Sequence, residues 1–158
     1  MHNSISKKND TKRFTCSYGP QKQRQDCVQL YNISSSKPWY SREGHDQYRY
    51  LVTQFDRTIK ISKIKIQHAQ TGWINKIDLF LMNSTSESYY QPANLSNGPA
   101  NAWNTITINP PIVINAIQIQ LDYFNGLHPP KNLPSPAYGI RQLRFYGDNV
   151  KKGIFFSF

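Results

Sequence analysis

Apolar side chains recur at every second position along much of this chain, with Lys, Asn, Gln and Arg between them. Tyr48, Tyr50, Val52 and Phe55 form one such run, Ile64 and Ile66 a second, and Ile77, Leu79 and Leu81 a third. Ile117, Ile119 and Leu121 follow, and Ile140, Leu143 and Phe145 come last. A period of two with a wet outer face predicts strands of an antiparallel sheet covered on one side. Turn residues divide the runs: Tyr18-Gly19-Pro20, Glu43-Gly44, Thr71-Gly72, Asn97-Gly98-Pro99, Asn109-Pro110-Pro111, Asn125-Gly126 and Gly147-Asp148-Asn149. No stretch of a dozen residues carries a helical stripe. The pattern predicts an all-β chain, as a sandwich or a barrel.

One internal echo sharpens this picture. Residues 59–67 read I-x-I-S-x-I-x-I-Q, and residues 112–120 read I-x-I-N-x-I-x-I-Q. In both, the apolar parity flips at the central residue, Ser62 or Asn115, so each strand is expected to bulge or turn there. The two segments read as similarly placed strands of one sandwich. Between Phe124 and Tyr138, Pro129, Pro130, Pro134 and Pro136 exclude both a helix and a central strand. That segment is expected to be a long, stiffened loop.

Composition narrows the class. The chain has 158 residues, enough for one domain with a single core, and its 13% aromatic content argues against disorder. No run approaches the length of a membrane span, and no apolar stretch follows the charged start, so no signal peptide is expected. An intracellular setting is slightly favoured on that ground. The net charge is +10, from 19 basic and 9 acidic residues. Lys7, Lys8, Lys12, Arg13, Lys22 and Arg24 precede Gln25, against the single acid Asp10. Residues 1–25 are therefore expected to be a basic leader, ordered only on an anionic or partner surface. Cys16 and Cys27 have no metal-ligand spacing. They read either as a local disulfide or as two buried thiols. The thiol reading is preferred, and with it the expectation that neither is needed for folding. Sequons at Asn9, Asn32, Asn83 and Asn94 stand against about two given by chance in this composition, too small an excess to establish secretion.

The closing run Tyr138-Gly139-Ile140-Arg141-Gln142-Leu143-Arg144-Phe145-Tyr146-Gly147 resembles the last strand of discoidin-like domains. These are also called coagulation factor 5/8 type C domains, within the galactose-binding-like superfamily. Residues 55–66 are similar to that family's step into its I-S-K-I strand. Trp39, followed by the strand Tyr50–Phe55, resembles the early Trp and the strand after it. The resemblance covers residues 26–148 and leaves 149–158 as an apolar C-terminal tail. It implies an antiparallel jelly-roll sandwich of about eight strands that binds a partner with loops at one end. The family's paired terminal cysteines are missing. The acidic, carbonyl-rich turn that would hold a structural calcium near Trp39 is also missing, so no cofactor is expected.

Catalytic signatures are absent: no G-x-S-x-G, H-E-x-x-H, G-x-G-x-x-G or P-loop occurs. The acids are scattered, and Glu43 with Asp46 reads as part of a turn rather than a glycosidase pair. His2, His45, His68 and His128 share no ligand spacing, so no metal site is expected. No enzyme is expected. The candidate binding residues are Trp39, Tyr40, Arg42 and His45 in one loop, His68 and Trp73 in a second, and Tyr123, His128 and Lys131 in a third. Aromatic faces stack on sugar C–H surfaces, while Arg and His orient polar substituents. Trp39 has a second reading, as a plug at the base of the sandwich. Tyr48-Arg49-Tyr50 and Arg144-Phe145-Tyr146 interleave bases and aromatics, but strand alternation should send the rings to the core and the arginines to water. Nucleic acid is therefore not the expected partner. The sequence points to a non-catalytic module that binds a glycan through its end loops. The alternative is a structural accessory subunit docked in a larger assembly by its basic leader and apolar tail, with a protein as partner.

Overall fold

The computed structural model describes residues 14–18, 27–31, 39–40, 50–68, 76–83, 87–95, 102–121 and 139–150. They form strands β1 (Phe14–Tyr18), β2 (Trp39–Tyr40), β3 (Tyr50–His68), β4 (Lys76–Met82), β5 (Ser88–Asn94), β6 (Trp103–Leu121) and β7 (Gly139–Asn149). A 3₁₀ turn covers Val28–Tyr31. All pairings are antiparallel, in the order β2-β7-β3-β6-β4-β5, with β1 on β3.

The two echo segments are ladder partners. Ile59 pairs with Ile114 and Ile61 with Ile112, on strands β3 and β6 of 19 residues each. Both strands change neighbours halfway. The first part of β3 lies between β1 and the second part of β6, which β4 flanks; the rest of β3 lies between β7 and the first part of β6. This exchange folds one hydrogen-bonded path into the two layers of a sandwich.

The parity flips sit where the register shifts. Ser62 alone faces residues 108–111 of β6, and Asn115 alone faces residues 55–58 of β3. Each flip residue thus stands opposite a four-residue excursion on its partner. Burial follows: Ile59 and Ile61 before Ser62, Ile64 and Ile66 after it, are all buried. Ser62 is itself buried, and its Oγ donates to the Tyr146 carbonyl at 3.2 Å. Asn109-Pro110-Pro111, expected as a turn between strands, is instead the excursion within β6, where the ladder needs no proline N–H.

The core joins both layers. Phe55 meets Phe145 edge-on at 5.2 Å between centroids, and Tyr31 lies 6.0 Å from the same ring. Tyr31 is fully buried and hydrogen-bonds the buried Thr53 hydroxyl. Burial pushes the Tyr31 phenol well above its ordinary pKa, and the Thr53 bond pulls it partly back.

Several expectations are corrected here. Runs read as two strands, Tyr48–Phe55 and Ile64–Ile66, are parts of one strand, β3. In its first part the core takes Leu51, Thr53 and Phe55, while Val52 is only half-buried. Three adjacent residues, Tyr50, Leu51 and Val52, left the parity open, and pairing with Ile117 and Ile119 chose it. Strand β5 and the Trp103–Ile108 part of β6 were not anticipated, although Ile106 and Ile108 are buried. Within the expected leader, Phe14–Tyr18 is β1, paired along its length with β3. The surface that orders it is the chain's own sheet edge. At the other end, β7 extends through Asn149, and the Val150 N–H donates to the Thr58 carbonyl at 3.3 Å.

The thiol expectation also changes. Cys27 is buried and disulfide-bonded, and Cys16 on β1 is the chain's other cysteine. Spacing alone fitted either reading. Pairing of β1 on β3 carries that strand to the 3₁₀ turn, which packs on both β1 and β7.

Candidate functional site

The strand ends from which the predicted loops depart fall into two paired groups. On one layer, Tyr40 pairs with Gly139, while Trp39 and His68 both pair with Ile140. Trp103, at the start of β6, pairs with Gln67 beside them. On the other layer, Tyr50 pairs with Gln120, Ile77 with Leu121 and Lys76 with Asn94. In sequence, residues 41–49, 69–75, 95–102 and 122–138 each link a strand end of one group to a strand end of the other. The opposite end carries the β4–β5 hairpin, which Asn83 and Glu87 close through backbone and side-chain hydrogen bonds of 3.1 Å.

This geometry places the described candidates. Trp39 and Tyr40 are β2, and His68 closes β3 one ladder position away. Trp39 is 1% exposed and belongs to the core, so its ring plugs the sandwich, as its second reading held, and does not face solvent. Arg42, His45, Trp73, Tyr123, His128 and Lys131 lie outside the described residues, in three of the four linking segments. Among the described residues, no three His, Cys, Asp or Glu side chains converge as a metal site would require.

Sequence reasoning passed over one aromatic at this end. Trp103 is 36% exposed, and the Arg144 guanidinium lies 4.5 Å over its ring. The signal was available in the alternation Trp103, Thr105, Thr107 against Ile106 and Ile108, which puts the indole on the outer face. Tyr146 also departs from expectation. Phe145 enters the core, but Tyr146 shares the outer face with Arg144.

No protein-family model matches this sequence, and no curated protein matches it. Solved structures do match its fold. The family 32 carbohydrate-binding module of Clostridium perfringens NanJ, in complex with galactose, aligns with TM-score 0.66 at 17% identity over 92% of this chain and 99% of that one. The F5/8 type C domain of a Bacteroides fragilis protein aligns with TM-score 0.66 at 11% identity, over 94% and 98%. CpGH89CBM32-5 from C. perfringens, in complex with GalNAc-β-1,3-galactose, aligns with TM-score 0.65 at 11% identity, over 92% and 100%. With its shared long strands, its two layers and these alignments across nearly the whole chain, this protein has the fold of the discoidin-like, F5/8 type C domains.

Proposed function

We propose that this chain is a non-catalytic glycan-recognition module whose ligand is held by the crossing connections at one end of the sandwich. The observation that carries the reading is that the strand ends flanking four connections fall into the same two groups of ladder partners. Matching modules solved with galactose and GalNAc-β-1,3-galactose support a neutral, galactose-type sugar as ligand. Tyr40, Trp73 and Tyr123 would supply ring faces for the sugar's C–H surface, and Arg42, His45, His68, His128 and Lys131 would orient its hydroxyls. Trp39 is assigned the role of anchoring β2 from below. The disulfide at Cys27 favours an oxidising setting for such a module.

Titration calorimetry with galactose and GalNAc-β-1,3-galactose tests this. Trp73→Ala and Tyr40→Ala should weaken binding on the order of tenfold each while the melting temperature holds. Absence of binding by the parent chain to any sugar of a glycan array would overturn the reading.

A further inference from the structure

The outer face of the layer built on β7, the second part of β3 and the first part of β6 is rich in cations. Lys65 stands directly across from Arg144 on β7, and Lys63 across from Tyr146. The Lys63 and Lys65 ammonium groups lie 4.4 Å and 6.0 Å from the centroid of that one tyrosine ring. Arg144 stacks on Trp103 and donates from Nη2 to Gln142 Oε1 at 3.0 Å, while its Nε is buried without a hydrogen-bond partner among the described residues. No carboxylate among the described residues pairs with these three cations; Asp148 on β7 stands across from Lys60, beyond the Ser62 bulge.

Like charges directly opposite on neighbouring strands destabilise a sheet. Here three cations are crowded within about 7 Å along a strand and about 5 Å across it, the spacing of two residues and of adjacent strands. The rings hold the cations in place and attract them through the π face, but they leave the net charge uncompensated. An anion laid on this face would relieve the repulsion and meet donors already ordered.

We propose that this face is a second binding surface, separate from the end loops, for the acidic groups of an anionic polysaccharide. The rings decide between a sugar chain and nucleic acid. Single-stranded nucleic acid binds by stacking bases on open aromatic faces. On this surface Arg144 lies against the face of Trp103 and Lys63 against that of Tyr146, so each ring already has a cation on one of its faces. The three-cation footprint suits one or two sulfate or carboxylate groups on adjacent sugars. Thr105 and Thr107, in register with Lys65 and Lys63, add hydroxyl partners for the sugar between them. The proposal does not need the loop site, since the two surfaces draw on different residues.

The test uses the full chain and a heparin-derived octasaccharide, with a duplex DNA oligonucleotide as competitor. The parent chain should bind the octasaccharide, and its affinity should fall steeply with salt. Lys63→Gln/Lys65→Gln should weaken that binding on the order of tenfold and flatten the salt dependence. The octasaccharide should raise the melting temperature of the parent chain and leave that of the double variant unmoved. Both lysines are half-exposed on the surface, so the variant keeps its fold; Arg144→Gln provides an independent third removal. Unchanged octasaccharide affinity in the double variant would put the binding on other basic residues of the chain and overturn the proposal. DNA bound more tightly than octasaccharide through the same lysines would overturn it too. Loss of galactose binding in Trp73→Ala bears only on the loop site, so the two readings fail separately.

Discussion

The two outer faces of the sandwich share the same two long strands yet present opposite chemistry. On the layer holding β7, residues facing outward from β3, β6 and β7 include Lys63, Lys65, Arg144, Tyr146 and Trp103, with a cation against each ring. On the layer holding β4 and β5, Phe80 packs against Tyr90 at 5.4 Å, and the Tyr90 hydroxyl donates to Asp78 Oδ1 at 2.7 Å. Gln118 and Gln120 continue that face, across from Phe80 and Asp78. There the Asp78 carboxylate is capped by a phenol, and the aromatic pair is left 57% exposed at Tyr90. The difference teaches that strand pairing sets which side chains become neighbours, while the residues chosen at those positions set what the face attracts. One face compensates its charge internally. The other leaves it for a partner.

Four substitutions test how separate these faces are. The largest effect is expected at Gly147, on the cationic layer. A Cβ there would run into the Lys60 carbonyl oxygen and lie 2.9 Å from its carbonyl carbon, both of them backbone, where β7 closes on β3. Gly147→Ala should cost about 3 kcal/mol, as overpacking against rigid backbone does. Denaturant unfolding measures it; a loss below about 1 kcal/mol would mean that β7 can lift from β3 and that the cationic face is a loose construction.

A smaller effect is expected from the interior that both layers share. Tyr31→Phe removes the hydroxyl bonded to buried Thr53 and should cost about 1–2 kcal/mol. The same phenol predicts a pH dependence. Its pKa in the fold is raised above the unfolded value of about 10, so its contribution is intact below pH 10 and is lost as pH climbs above it. Stability of the parent chain should therefore fall more steeply above pH 10 than that of Tyr31→Phe. Parallel alkaline curves for the two would remove the phenol from the account.

The smallest effects should carry opposite signs on the two faces. Lys65→Gln relieves the charge opposed to Arg144 and should raise stability by about 0.5 kcal/mol at low salt, a gain that salt screens away. Asp78→Asn weakens the bond from Tyr90 and should lower stability by about 0.5 kcal/mol. Thermal melts at two ionic strengths distinguish them. Equal signs would erase the contrast between the faces.

The sequence by itself determined the strand class, the closing strand and the two places where β3 and β6 change parity. It did so because alternation is local: Ile59, Ile61, Ile64 and Ile66 declare their faces within eight residues, and Ser62 marks the slip between them. It also marked the loop residues as candidates, because aromatic, basic and turn residues cluster there. What it could not determine depended on partners distant in the chain. Phe14–Tyr18 is too short and too polar to declare a strand until the edge of β3 receives it. The disulfide at Cys27 needed β1 beside the 3₁₀ turn, a neighbourhood that spacing does not encode. Trp39 became core only when β2 paired with β7, and the connections shared two groups of ends only once β3 and β6 were seen to span both layers. The cationic face arose in the same way. Lys65 and Arg144 are 79 positions apart in the chain, and antiparallel register alone sets them opposite each other.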